Sequence, residues 1–197
     1  MAGALPTFDI PYTLGAHIEA RAGHSATANR VLARHGERSW TYAEYRDHCV
    51  RYAHFLLQRL GTVDASRPGH VAVLLENHLE FLAIYGGCAF AGLTLFGINT
   101  GLRGETLAGV LNQSGARVLI VDAKFLPQVE QVRQSLKRIA PENVLVYQPP
   151  GTTPAAANDL VGCVRSEIGA EDRSLDAPDV TVAPDQNLMV IYTSGTT

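Results

Sequence analysis

The chain is short of lysine. Only Lys124 and Lys137 occur among its 197 residues, so arginine carries nearly all of the positive charge. Neither lysine closes a Gly-x-x-x-x-Gly-Lys pattern, which excludes a Walker-type phosphate loop. No Gly-x-Gly occurs, so the pyrophosphate fingerprint of dehydrogenase-type dinucleotide folds is missing. A Gly-x-Ser-x-Gly elbow is missing too, which removes the α/β-hydrolase reading. Cys49, Cys88 and Cys163 lie far apart with no Cys-x-x-Cys spacing, and there is no His-Glu-x-x-His. They read as reduced, structural thiols of a cytoplasmic protein, and no metal site is expected. The net charge of −3 gives no electrostatic case for nucleic acid or an anionic membrane. No basic region followed by an apolar core opens the chain, so a signal peptide is not expected.

Charge is also absent from residues 81–102, a run long enough to cross a membrane as one helix. Gly86, Gly87, Gly92, Gly97 and Gly101 would weaken such a helix, and the run divides naturally at Gly92. A buried helix followed by a central parallel strand accounts for the same residues, so no transmembrane segment is expected; peripheral membrane contact stays open.

What is present is an alternation of strands and helices. Buried strands are expected at residues 70–75, 93–98, 117–121, 143–147 and 188–192, with 188–192 short and continuous as parallel strands are. A helical candidate lies at 14–22, and a hairpin turns at His35, Gly36 and Glu37. Thr41 and Glu44 have capping-box spacing, flanked by Trp40 and Tyr45 at the two positions of a hydrophobic staple. The helix they start runs to about Leu60, with Tyr45, Cys49, Tyr52, Leu56 and Leu60 on one face and Gly61 to end it. Asn77 and Glu80 repeat the cap spacing before a helix at 78–91. Further helices are expected at 104–114, along a stripe of Leu126, Val129, Val132, Leu136 and Ile139, and at 158–168. Residues 148–157 read as a surface loop and 169–185 as an irregular connector. This alternation predicts an α/β fold: a doubly wound, mostly parallel sheet with helices on both faces.

The most informative stretch follows the last strand. Thr193, Ser194, Gly195, Thr196 and Thr197 are small, and four of the five carry hydroxyls. Gly195 frees the backbone, and such a loop at the carboxyl end of a strand can turn amides and hydroxyls toward one anion. Open α/β sheets place ligands at that end. Ordinary loop composition is the competing reading. None of the residues is a convincing general acid or base.

The string from Ile191 through Thr197 resembles the first half of the signature loop of the adenylate-forming enzymes, a superfamily of acyl-CoA synthetases, luciferases and peptide-synthetase adenylation domains. The stretch Thr41, Tyr42, Ala43, Glu44, Tyr45 resembles the family's first core motif, with Tyr45 where leucine is usual. Residues 74–81 and 88–99 resemble two further segments. Arg103 to Leu107 and residues 114–120 look most like fatty-acyl-CoA synthetases. The resemblance implies the amino-terminal part of the AMP-binding large domain, with residues 1–39 as arm and hairpin, 40–175 as an α/β subdomain and 176–197 as connector, strand and truncated phosphate loop. It implies an enzyme that uses ATP, Mg2+ and coenzyme A to convert a carboxylic, most naturally fatty, acid to acyl-AMP and then a thioester. Thr193, Ser194, Gly195, Thr196 and Thr197 would contact the β- and γ-phosphates. The adenine pocket, the metal-binding glutamate and the carboxyl-terminal lysine of the family have no counterpart in these residues, so the 197-residue chain alone is expected to be inactive. A fatty-acyl-AMP ligase that loads a carrier protein and a non-catalytic α/β binding module are the alternatives.

Overall fold

The computed structural model describes residues 12–64, 67–150, 158–169 and 175–192. Five parallel strands form one sheet in the order β6-β5-β3-β4-β7, and an antiparallel pair, β1 (Val31–His35) with β2 (Arg38–Thr41), stands apart from it. Central β3 (His70–Leu74) pairs with β4 (Thr94–Gly97) on one side and β5 (Val118–Asp122) on the other. Beyond them lie β6 (Val144–Tyr147) and β7 (Met189–Ile191).

Alternation along the strands builds two cores. Val71, Val73, Val118, Ile120, Leu145 and Tyr147 face one side, with residues of α2 (Tyr42–Leu60), α3 (Leu79–Ala91) and α6 (Leu160–Ile168). Ala72, Leu74, Leu119, Val121, Val144 and Val146 face the other, with α4 (Gly104–Ser114) and α5 (Leu126–Val132). The remaining helix, α1 (Leu14–Gly23), adds Ile18 to the first core. A two-residue period with both faces apolar is what a sheet covered on both sides requires. The expected doubly wound fold is therefore present, and all five strands of the large sheet are parallel.

Local signals hold where they are self-contained. The Thr41 hydroxyl accepts from the Glu44 amide at 3.3 Å while the Glu44 carboxylate accepts from the Thr41 amide at 2.7 Å. Gly61, at φ +58°, ends α2 in a backbone conformation that side chains disfavour. The uncharged run divides at Gly92 into α3 and β4, and no described helix is long and apolar enough to cross a membrane. Its glycines serve packing: a Cβ on Gly87 would lie 2.7 Å from Tyr52 Cβ and 3.1 Å from the Ala53 amide, so α3 presses directly on α2.

Three expectations need correction. Asn77 does not cap α3; His78 is the N-cap, with no side-chain cap bond. The residue at the expected second half of that box, Glu80, is instead buried and accepts from the Tyr52 hydroxyl at 3.4 Å. The apolar stripe through Ile139 is not one helix: α5 ends at Val132, a 3₁₀ turn covers Arg133–Ser135, and Leu136 is extended. Asn112 on α4 explains the break, since its Nδ2 donates to the Ser135 carbonyl and its Oδ1 accepts from the Lys137 amide, both at 2.8 Å. Val129, Val132 and Ile139 are still buried. Finally, β7 is not a buried strand. It pairs only with β4 among the described residues, its three residues are half-buried or exposed, and Ile191 is 63% exposed.

Residues 1–11, most of the expected 148–157 loop (151–157) and part of the connector (170–174) lie outside the described residues.

Candidate functional site

Every strand of a parallel sheet ends at the same edge, and that edge here divides into two polar regions. The first lies at β4 and β7. Leu95, Phe96 and Gly97 pair with Met189, Val190 and Ile191 in register, so the two strands leave the sheet side by side. Tyr192 follows, half-buried against the second core with its ring 6.2 Å from that of Phe96, and burial raises its pKa. Thr193, Ser194, Gly195, Thr196 and Thr197 lie outside the described residues.

On the β4 side the chain makes a tight turn before α4. Asn99 Oδ1 accepts from the Gly101 amide at 2.8 Å, and the Leu102 amide donates to the Asn99 carbonyl at 3.1 Å. One terminal nitrogen of Arg103 donates to the Thr100 and Leu102 carbonyls at 2.7 and 2.8 Å. Arg103 is the one charged residue between Glu80 and Glu105, and it has no carboxylate partner among the described residues. A polyanion arriving here meets the Asn99 amide and the Arg103 charge, with the exposed carboxylate of Glu105 two residues further on in the first turn of α4. That chemistry fits a nucleotide phosphate.

The second region lies at β3, β5 and β6, where successive connections leave for opposite faces. Asp122, 2% exposed, accepts from His78 Nε2 at 3.0 Å and from the Lys124 amide at 3.3 Å. The His78 ring packs 5.0 Å from that of Tyr147 and 5.4 Å from that of His35 in the hairpin. Arg38 approaches the buried Glu80 at 3.9 Å. Burial, reinforced by Glu80, pushes the Tyr147 hydroxyl up to about 12. Lys124 pairs with Glu76 and holds that carboxylate below its ordinary range. Sequence reasoning missed this cluster. Its only local signal is the acid that ends a strand, because the partners of His78 lie on three other elements.

The thiols behave as buried apolar groups. Burial raises the pKa of all three, Cys88 to about 12, and Cys163 is only half-buried. No three metal-ligating side chains converge among the described residues. A small cavity of about 90 Å³ opens beside Leu93 and Leu188, at the amino-terminal ends of β4 and β7, away from the strand ends where the loop begins.

Residues 18–197 match the AMP-binding enzyme family. The chain belongs to that family. It is 31% identical over 157 residues to a long-chain-fatty-acid–CoA ligase, FadD13, of Mycobacterium tuberculosis, covering 80% of this chain and 27% of the relative. It is 27% identical over 176 residues to a fatty acid–[acyl-carrier-protein] ligase, ScoC, of Streptomyces coeruleorubidus, covering 89% of this chain and 29% of that one. The crystal structure of the N-terminal domain of FACL13 from Mycobacterium tuberculosis superimposes with a TM-score of 0.70 at 26% identity, over 92% of this chain and 42% of that one. The AMP-binding chain thus spans little more than a quarter of the length of the curated relatives it matches.

Proposed function

We propose that this chain forms the amino-terminal part of the large domain of an ATP-dependent, cytoplasmic acyl-CoA synthetase, and that residues 193–197 cradle the β- and γ-phosphates of ATP. Residues 1–39 serve as arm and hairpin, 40–175 as the α/β subdomain and 176–197 as connector, strand and phosphate loop. The complete protein converts a fatty acid and Mg-ATP to acyl-AMP and pyrophosphate, then transfers the acyl group to coenzyme A. One observation supports the reading: β7 pairs in parallel with β4 and runs toward the carboxyl edge of the sheet, where open α/β sheets place ligands, and in the sequence it is followed after Tyr192 by the hydroxyl-rich residues 193–197. The named activity of the mycobacterial relative supports the acid and the acceptor. ATP supplies the leaving group, and the role of this chain's residues is to stabilise phosphate charge as it develops. A carrier protein as acceptor is the second reading, favoured by the named activity of the Streptomyces relative.

The chain alone forms no acyl-adenylate, because it holds only part of the substrate-binding surface implied by the length of its relatives. Pyrophosphate release that depends on fatty acid, from the purified 197-residue chain, would overturn that statement.

The loop is tested in the complete protein by Thr193→Ala and Thr196→Ala, with the two half-reactions measured separately. Loss of one donor to developing charge costs about 2.7–4 kcal/mol at oxyanion sites. Adenylation should slow accordingly, while thioester formation from supplied acyl-AMP changes far less, since pyrophosphate has left before that step. Equal slowing of both would assign the hydroxyls to loop structure, where Ser and Thr also bond their own backbone.

A further inference from the structure

We propose that His35 and His78 form a pH-sensitive latch that holds the tip of the β1–β2 hairpin against the carboxyl edge of the sheet, closed while the two rings share at most one proton and released by a second. The latch is independent of residues 193–197. The hairpin stands outside the five-stranded sheet, and a two-stranded ribbon is marginal in water, so its order depends on what it docks against. At its base Trp40 is buried, and Leu32 and Ala33 pack on the first core. At its tip His35 is paired with Arg38 across the strands, and the partners there are polar. The His35 ring lies 5.4 Å from that of His78, and Arg38 approaches Glu80 at 3.9 Å.

The charges around the two rings balance for one proton and not for two. His78 bonds Asp122 and Arg38 faces Glu80, so one imidazolium and one guanidinium meet two buried carboxylates. Glu76, just past β3, and Lys124, just past β5, pair with each other. Tyr147 on β6 stays neutral, its hydroxyl pushed up to about 12, and Tyr52 on α2 donates to Glu80. Arg34 and Glu37, beside His35 on the hairpin, are exposed, where water and salt screen their charges. His48 stacks on Trp40 at the base of the hairpin, away from the tip. A second proton therefore finds no buried carboxylate and puts like charges on neighbouring rings. Histidine changes charge between about pH 5 and 8, so acidification in that range drives the tip off the edge. The tip meets the sheet on the β3–β5 side of its carboxyl edge, where open α/β sheets receive ligands, so the latch makes the state of that edge depend on pH.

Hydrogen exchange of the complete protein reads the tip through the amides of residues 34–39, after correction for the intrinsic effect of pH. Release takes up one proton, so the opening equilibrium rises by up to about tenfold per pH unit while the pair carries a single charge. Wild-type protection of the tip should fall by about tenfold between about pH 7.5 and 5.5, while the amides of α2 and β5 stay protected. In His35→Phe, which keeps an aromatic ring against His78 but takes no proton, protection should change by less than about twofold. His35→Arg, charged at every pH, should show an open tip already at about pH 7.5. A pH-independent wild-type tip, the same fall in His35→Phe, or a fully protected tip in His35→Arg would each overturn the latch.

Discussion

Strands β5 and β7 run parallel in the same sheet, yet they are built for different ends. All five residues of β5 are buried, and the strand is paired on both sides. The three residues of β7 have one neighbour among the described residues, and none is fully buried. Among the described residues, burial is concentrated at the centre of the sheet, and β7 is the strand with the least packing. Under the proposed phosphate-binding role of residues 193–197, β7 needs placement more than burial, since ligand-contacting segments are drawn from the less stable parts of a fold. The parallel register with β4 supplies that placement.

The largest effect expected of this contrast is at the centre. Ile120 is fully buried in β5, and Ile120→Ala should destabilise the chain by about 2–5 kcal/mol, read as a shift of the denaturant midpoint. A loss below about 1 kcal/mol would show that the core relaxes around the cavity and that the centre is no more demanding than the edge.

An intermediate effect is expected at the start of α2. Thr41→Ala removes the hydroxyl that accepts from the Glu44 amide and should cost about 1 kcal/mol. The backbone and hydroxyl bonds from Thr41 hold the Glu44 carboxylate below its ordinary pKa. A carboxyl depressed in the folded state stabilises fully above its unfolded value, about 4.3, and that contribution disappears as the pH falls through the lower folded value. The melting-temperature gap between the wild type and Thr41→Ala should therefore narrow below about pH 4, as the hydroxyl–carboxylate bond is lost in the wild type too. A gap that widens on acidification would contradict the cap geometry. The full-length enzyme should retain its turnover in Thr41→Ala wherever it stays folded.

The smallest effect is at the edge. Ile191 is 63% exposed, and Ile191→Ala should shift the stability of this chain by no more than about 0.5 kcal/mol. A loss comparable to that at Ile120 would mean that β7 is packed as a core strand, and the division between centre and edge would collapse.

These particulars also mark how far the sequence could be read. The strands were legible as short, continuous apolar runs, because both faces of the sheet are buried. The α2 cap was legible because Thr41 and Glu44 contact each other three residues apart. The break after α5 was not, because Asn112 takes up backbone groups more than twenty positions away. His78 misled for a similar reason: its partner Asp122 lies 44 positions further on, so a helix-start signal at Asn77 looked sufficient. The exposed character of β7 was hidden because an apolar run specifies a strand without specifying how many neighbours it will have. In the candidate site, the loop itself was visible as composition, whereas the turn from Asn99 to Arg103 became meaningful only once β4 and β7 were side by side.

The pairing of β4 with β7 also bears on how the sheet is assembled. Thr94 reaches across to the Asn187 carbonyl, 93 positions away, with a hydrogen bond of 2.8 Å. The partners in β3 and β5, such as Val71 and Val118, are about half as far apart in the chain. Closing a loop of twice the length adds only about 0.6 kcal/mol of entropy cost, so distance along the chain does little to hold β7 back. The reward differs far more: β5 gains two ladders and two apolar faces, while β7 gains three paired residues. Within the described residues the sheet can therefore condense around β3, β4 and β5 before β7 joins it.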